Sequence, residues 1–411
     1  MTRAALICVL LLTQEQSEVD KQAARITDKD PAASFDAISR LIDLAATSKP
    51  AVEAAAAKVS DSFYRTVLEE ELKARERLGA KFGTVTRISI DVKDKTLASV
   101  LQELTEKSKE KLDAYWVMQS RGSQGVTVKI NDAPVLEAVR AICAEAHLRA
   151  TLQYGLIQIY EGGGVGNGPA CQYRNFLISA WSLQKTREIE LGGPANKILY
   201  MQLQALWDRA IMVARAEKSE IIECVDNKGR AIPVAPEEAK PPSTADPAVI
   251  SNGLSWGWAP SVRLQWPAED AEKIARLRGA FTILVPDATA SVVLKEKGAK
   301  ATDDAFEATL EGMRSERNRA EAVVRIKPAS LDEFRKMTVG FRVKVKDGDE
   351  RWCYATGRVT DGVVEYTVSP RLTGEESSGR KVIEIESVEV MVIKTTLPRR
   401  IFYEFRDVPL K

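Results

Sequence analysis

The sequence carries a single histidine, His147, and that scarcity removes whole classes of chemistry. A Ser–His–Asp triad would have to be built on this one residue, and a multi-histidine metal site is excluded. His147 falls between a helical pattern and a strand pattern with no partner nearby in sequence, and is read as structural. The five cysteines (8, 143, 171, 224 and 353) form no C-x-x-C and no cluster, which argues against a zinc knuckle or a dithiol redox motif. Two disulfides among the downstream four would be allowed by number, but Cys143 lies on an apolar helical stripe, which favours isolated buried thiols. Charge of one sign is also missing: 59 Lys and Arg against 58 Asp and Glu leave +1, too little to gather nucleic acid. No segment is apolar over the length of a membrane-spanning helix. Aromatics are only 6%, and lead-ins such as "EDAEKIARLRG" are helical in pattern, which argues against a transmembrane barrel.

No G-x-x-x-x-G-K-[ST] and no D-x-D-x-D-G loop occurs. The tight acidic groups, "TDDAFE" (302–307) and "DGDE" (347–350), sit in turn-like segments where solvated carboxylates are routine. The basic stretches "SERNRAEAVVR" and "PRR" (398–400) lack interleaved aromatics and read as solvated faces. The sequence therefore predicts no catalytic residue, no cofactor and no metal.

What is present is a set of modules. "MTRAALICVLLLTQEQ" has one Arg followed by an apolar run, Ala4–Leu12, too short to span a bilayer and suited to a secretory signal over 1–16. Residues 31–79 read as helices. Ile38, Leu41, Ile42 and Ala45 share one stripe, Pro50 opens a second helix, and a third is capped by Ser60 or Asp61 and stopped by Gly79. This Ala-rich segment resembles a single HEAT-like repeat, which cannot bury its apolar face alone and must pack on a neighbour or act as a spacer.

Residues 87–161 read as a small β-α-β-β-α-β-β domain. "RISIDVK" alternates as a strand, Leu97, Val100, Leu101 and Leu104 form a helical stripe, and "KLDAYWVM" is taken as a second strand. "GVTVKIND" alternates, Pro134 opens the second helix, and "RATLQYG" with "LIQIYEG" closes a hairpin. With Asp94, Leu97, Val100 and Leu101, then Val126, Val128, Pro134, Leu136 and Ala138, then Ile157 and Ile159, this segment resembles the STN domain. That is the short N-terminal domain of bacterial secretins and TonB-dependent receptors. The resemblance implies a periplasmic protein-interaction module without catalytic residues. No secretin pore or receptor barrel pattern follows it.

Five glycines, Gly162, Gly163, Gly164, Gly166 and Gly168, lie in the stretch "EGGGVGNGPA". Their spacing is wrong for a dinucleotide loop and a strand pattern, not a helix, follows, so 162–170 is expected to be a hinge. Beyond it, alternating strands and hairpin turns such as "TDGV" predict two antiparallel Ig-like β-sandwich units, 171–300 and 301–411. Trp256, Trp258 and Trp266 cluster within the first. Such rings either fill the space between sheets or form a binding surface for sugar or protein.

The fold class expected is thus multidomain α+β. The function expected is that of an exported, non-catalytic envelope protein that recognises or scaffolds a protein partner, with β-augmentation at sheet edges as one mechanism. A glycan-binding protein using the three tryptophans is the alternative, and a hydrolase of unknown type the third reading. Neither nucleic acid nor an integral membrane span is expected.

Overall fold

A computed structural model describes residues 15–27, 29–153, 156–162, 168–189, 195–208, 211–235, 249–250, 254–255 and 257–410. The fold is α+β, 27% helix and 51% strand, with helices at the N-terminal end and antiparallel sheet toward the C-terminal end. No helix among the described residues is long and apolar enough to cross a membrane.

Helix α1 (15–24 in its described part) precedes α2 (Pro31–Ala56) and α3 (Ser62–Leu78). The Asp30 side chain caps α2, whose N1 position holds Pro31. Ser48 leaves helical φ/ψ two residues ahead of Pro50, whose missing N–H and ring disrupt the preceding turn of the helix. Asp61 caps α3 through the amides of Phe63 and Tyr64.

The small unit runs β1 (Arg87–Thr96), α4 (Leu97–Ser108), β2 (Leu112–Asp113), α5 (Tyr115–Arg121), β3 (Gly125–Pro134), α6 (Val135–Glu145), β4 (Leu148–Gln153) and β5 (Leu156–Glu161). It holds two sheets, β1-β3 and β2-β5-β4, around a core of Leu97, Val100, Leu104, Ile142 and Ile157. The strand expected from "KLDAYWVM" is two residues long and gives way to α5. Asp113 Oδ1 accepts from the Tyr115 amide at 3.4 Å, which starts the turn, and only Val117 of α5 is fully buried. Apolar spacing over so short a run does not distinguish strand from helix.

The remaining strands are β6 (Ala170–Tyr173), β7 (Phe176–Ile189), β8 (Ala195–Trp207), β9 (Arg215–Asp226), β10 (Val249–Ile250), β11 (Gly257–Trp258), β12 (Ser261–Gln265), β13 (Lys273–Leu294), β14 (Lys300–Thr302), β15 (Phe306–Glu316), β16 (Arg319–Pro328), β17 (Thr338–Val345), β18 (Glu350–Thr360), β19 (Val363–Pro370) and β20 (Ile385–Pro409). Two one-turn helices, α7 (Leu331–Phe334) and α8 (Gly374–Ser377), interrupt them. One sheet has the order β11-β8-β7-β6, with β12 also on β8. The other has ten strands in the order β14-β15-β16-β19-β18-β17-β20-β13-β9, with β10 on β18.

Strands β13 and β20 pair along their whole length, from Lys273↔Pro409 to Leu294↔Val388, with a bulge at Ala288. One core takes Leu277, Phe281, Tyr403 and Phe405 from the first half of this ribbon. A second core takes Leu294, Val388 and Val390 from the other half. A division at 300/301 is therefore corrected: the strand that completes the first unit comes from residues 398–409, beyond the whole of the second.

A spacer role for 31–79 is likewise corrected, because α2 and α3 share the first core, with Phe35, Tyr64 and Leu68 packed with Tyr173 and Phe402. Buried charges fasten them. Arg278 on β13 donates to Asp61 at 2.7 Å and to Glu404 at 2.9 Å, and Glu404 also accepts from the Tyr64 hydroxyl at 2.9 Å. Arg399 meets Glu71 of α3 at 3.0 Å and the Phe82 carbonyl at 3.0 Å. The basic run 398–400 is thus not a solvated face, since Arg399 is 1% exposed.

Burial works to raise the pKa of Asp61, but its bonds to Arg278 and to two backbone amides outweigh that and hold it below the usual range. Asp36 is held down in the same way: burial opposes, and pairing with Arg40 and Arg87 prevails. A carboxylate depressed by folding stabilises above its unfolded pKa, about 4, and loses that contribution as pH falls through the folded value. The thermal midpoint is therefore expected to drop steeply below about pH 4. Asp61→Asn should flatten that drop; an unchanged slope in calorimetric scans from pH 6 to 2 would count against these attachments.

Candidate functional site

The residues singled out in the sequence do not come together. Trp256, Gly163, Gly164 and Gly166, with the signal segment up to residue 14, lie outside the described residues. Trp258 is half-buried against the first core, its ring 5.0 Å from that of Phe281. Trp266 packs on the same core and donates from its indole to the Ile198 carbonyl at 2.9 Å, with Lys197 over its ring. Both rings have internal partners and form no open platform. His147 takes φ 54° just beyond Ala146, the C-cap of α6, supplying the left-handed turn into β4. Cys143, Cys171, Cys224 and Cys353 are all unpaired. Burial pushes the first three thiols up to about 12, which leaves them unreactive at neutral pH.

Gly168 has a different reason from the one expected of a hinge. A Cβ there would lie 2.2 Å from the Ala180 carbonyl oxygen, so the position needs glycine because a neighbouring strand approaches closely. Gly162 is also crowded, with the Arg149 side chain 2.9 Å from a Cβ placed on it. Across the same junction Leu177 and Leu206 of the sheet enter the core of the small unit.

That junction contains a cleft of about 270 Å³. Its floor is apolar: Leu136, Val139 and Cys143 of α6 on one side, Leu177 and Leu206 on the other. Strand β4 forms one wall and is the edge strand of β2-β5-β4. The rim holds two half-open aromatics, Tyr160 and Trp181, each 41% exposed.

The position of Trp181 follows from backbone register. In β7 the pairing shifts between Ala180↔Leu203 and Ser182↔Gln202, so Trp181 is the extra residue of a β-bulge. A bulge breaks strict alternation and re-aims one side chain, here onto the cleft. Tyr160 stands opposite Arg149 in the β4–β5 hairpin. Arg140, also on the cleft, is held by Glu137 through bonds of 2.8 and 2.5 Å, and the bond to Glu137 raises its pKa against the opposing effect of burial.

Physically, the cleft can take apolar side chains beneath two aromatics, with a strand edge alongside to which no strand among the described residues pairs. No group of three or more His, Cys, Asp or Glu residues able to hold a metal occurs among the described residues. Trp181 and Tyr160 were missed in the sequence because both look like ordinary members of alternating strands, and no signal there marks the bulge. Comparison of the chain with family models, with curated proteins and with solved structures finds no match.

Proposed function

We propose that this protein is a non-catalytic recognition protein that takes up an extended segment of a protein partner along β4, with alternate side chains of that segment entering the cleft. The observation that carries this reading is the bulge-presented Trp181, standing over an apolar floor beside an edge strand. Strand addition supplies main-chain hydrogen bonds, and a pocket for alternate side chains supplies selectivity. A partly exposed aromatic over a greasy floor is where binding energy concentrates. The resemblance of 87–161 to STN domains, together with the apolar run at 4–12, supports placing this activity in the bacterial envelope.

The test is a display library of linear peptides panned on the full chain. Selected peptides are expected to alternate apolar and polar residues, and Trp181→Ala should weaken them by about tenfold or more. Peptides that bind the Trp181→Ala protein as tightly as the parent would sink the reading.

A further inference from the structure

A second cavity, of about 520 Å³, lies where α5 of the small unit faces the ends of β18 and β19; it meets β5 at Gln158, beside Ile157 of the β4 cleft, but shares no lining residue with that cleft. Two aromatic side chains flank it, Trp116 at 61% and Tyr354 at 52% exposure. Rings of this size left open in one concavity are unusual outside binding sites.

The floor between them is a polar chain that crosses the two units. Arg371 donates to Gln158 Oε1 at 2.8 Å, Gln158 donates to Asp113 Oδ2 at 3.2 Å, and the Gly374 amide donates to Asp113 Oδ1 at 3.2 Å. Arg371 Nε is buried and has no hydrogen-bond partner among the described residues. A guanidinium carries five N–H groups and Arg371, which lines the cavity, gives one to Gln158, so donors besides the buried Nε remain for a ligand. The Asp113 and Arg371 charges cancel within this floor.

We infer that this cavity binds a neutral saccharide, with Trp116 and Tyr354 against the C–H faces of pyranose rings and Arg371, Gln158 and Asp113 toward their hydroxyls. Each alternative meets a physical obstacle. A phosphate or carboxylate ligand would face the Asp113 carboxylate. A wholly apolar ligand would leave the Arg371 and Asp113 groups desolvated and unmatched. An extended peptide lacks an edge, since β5, β18 and β19 are each flanked on both sides in their sheets. A sugar carries both hydroxyls and apolar faces, and the cavity falls within the about 300–1,000 Å³ typical of small-molecule sites.

This reading moves saccharide binding away from Trp258 and Trp266, and it is independent of the β4 cleft. The test is titration of the full chain with cellohexaose, maltohexaose and the hexamer of N-acetylglucosamine, read by calorimetry. At least one is expected to bind, with affinity reduced about tenfold in Trp116→Ala and in Tyr354→Ala and unchanged in Trp181→Ala. Trp116 is exposed, so its variant should keep the parent thermal midpoint. Absence of binding by all three sugars at millimolar concentration overturns the proposal, as does binding that survives in Trp116→Ala. Displacement of the bound sugar by peptides selected on the β4 cleft overturns it as well.

Discussion

Replacing Glu71 with alanine is expected to destabilise the protein by about 3–5 kcal/mol, a fall of roughly 4–6 °C in thermal midpoint for a chain of 411 residues. Glu71 is 1% exposed and, among the described residues, its carboxylate is the only acidic group paired with Arg399, whose side chain is fully buried. Removing the carboxylate leaves a guanidinium in a dry site. Among the described residues, the Phe82 carbonyl at 3.0 Å and the faces of Phe82 and Phe176, 4.1 and 5.3 Å from the guanidinium carbon, remain to it. Those contacts are worth far less than the desolvation they would have to offset. The double variant Glu71→Leu/Arg399→Met removes both charges and should be milder than Glu71→Ala alone. Asp270 makes an instructive contrast: it bridges Lys228 and Arg230 but is exposed to solvent, so Asp270→Ala should cost far less than Glu71→Ala. Equal losses in urea titrations of Glu71→Ala and Asp270→Ala would count against the buried Arg399–Glu71 pair as what fastens α3.

Gly168→Ala separates two accounts of the glycine-rich junction by sign. In a free hinge the change would be neutral or would stabilise by about 0.4–1 kcal/mol, because alanine narrows the unfolded ensemble. Close approach gives the opposite result. The added methyl would meet the Ala180 carbonyl, and Ala180 is fixed on both sides: it donates to Pro169 at 2.9 Å and stands in register with Leu203. A backbone held by two neighbours cannot move aside cheaply, so a loss of about 1–3 kcal/mol is expected. Equilibrium unfolding of this one variant decides the matter; any gain in stability would restore the hinge.

These two positions also mark where the sequence could and could not be read. The stripes of α3, α4 and α6 and the alternation of strands such as β17 were legible, because burial imposes periods of 3.6 and 2 directly on residue type. Glu71 was partly legible: it falls four residues after Val67 and three after Leu68, on the buried stripe of α3, although its neighbours Glu69 and Glu70 make it look solvated. Arg399 carried no such mark, since its partner lies over three hundred residues away and pairing at that distance leaves no local pattern. Trp181 depended on a bulge and Trp116 on a helix of seven residues, both set by register and hydrogen bonding that apolar spacing does not encode. The tryptophan cluster at 256–266 was conspicuous in sequence for the opposite reason. Large rings close together in a chain are as useful to a core as to a surface, and Trp258 and Trp266 went to the core.

The paired ribbon of β13 and β20 bears on how the protein is made. On a ribosome, strands β9, β13 and β17 emerge well before residues 385–409, the segment that pairs with both β13 and β17. Until then the sheet lacks the strand between β17 and β13, and the apolar faces of Leu277, Phe281, Phe341 and Val343 have no complete core to enter. The nascent chain must therefore wait with two half-built lobes, sticky along facing edges, and both close on the arrival of a single strand.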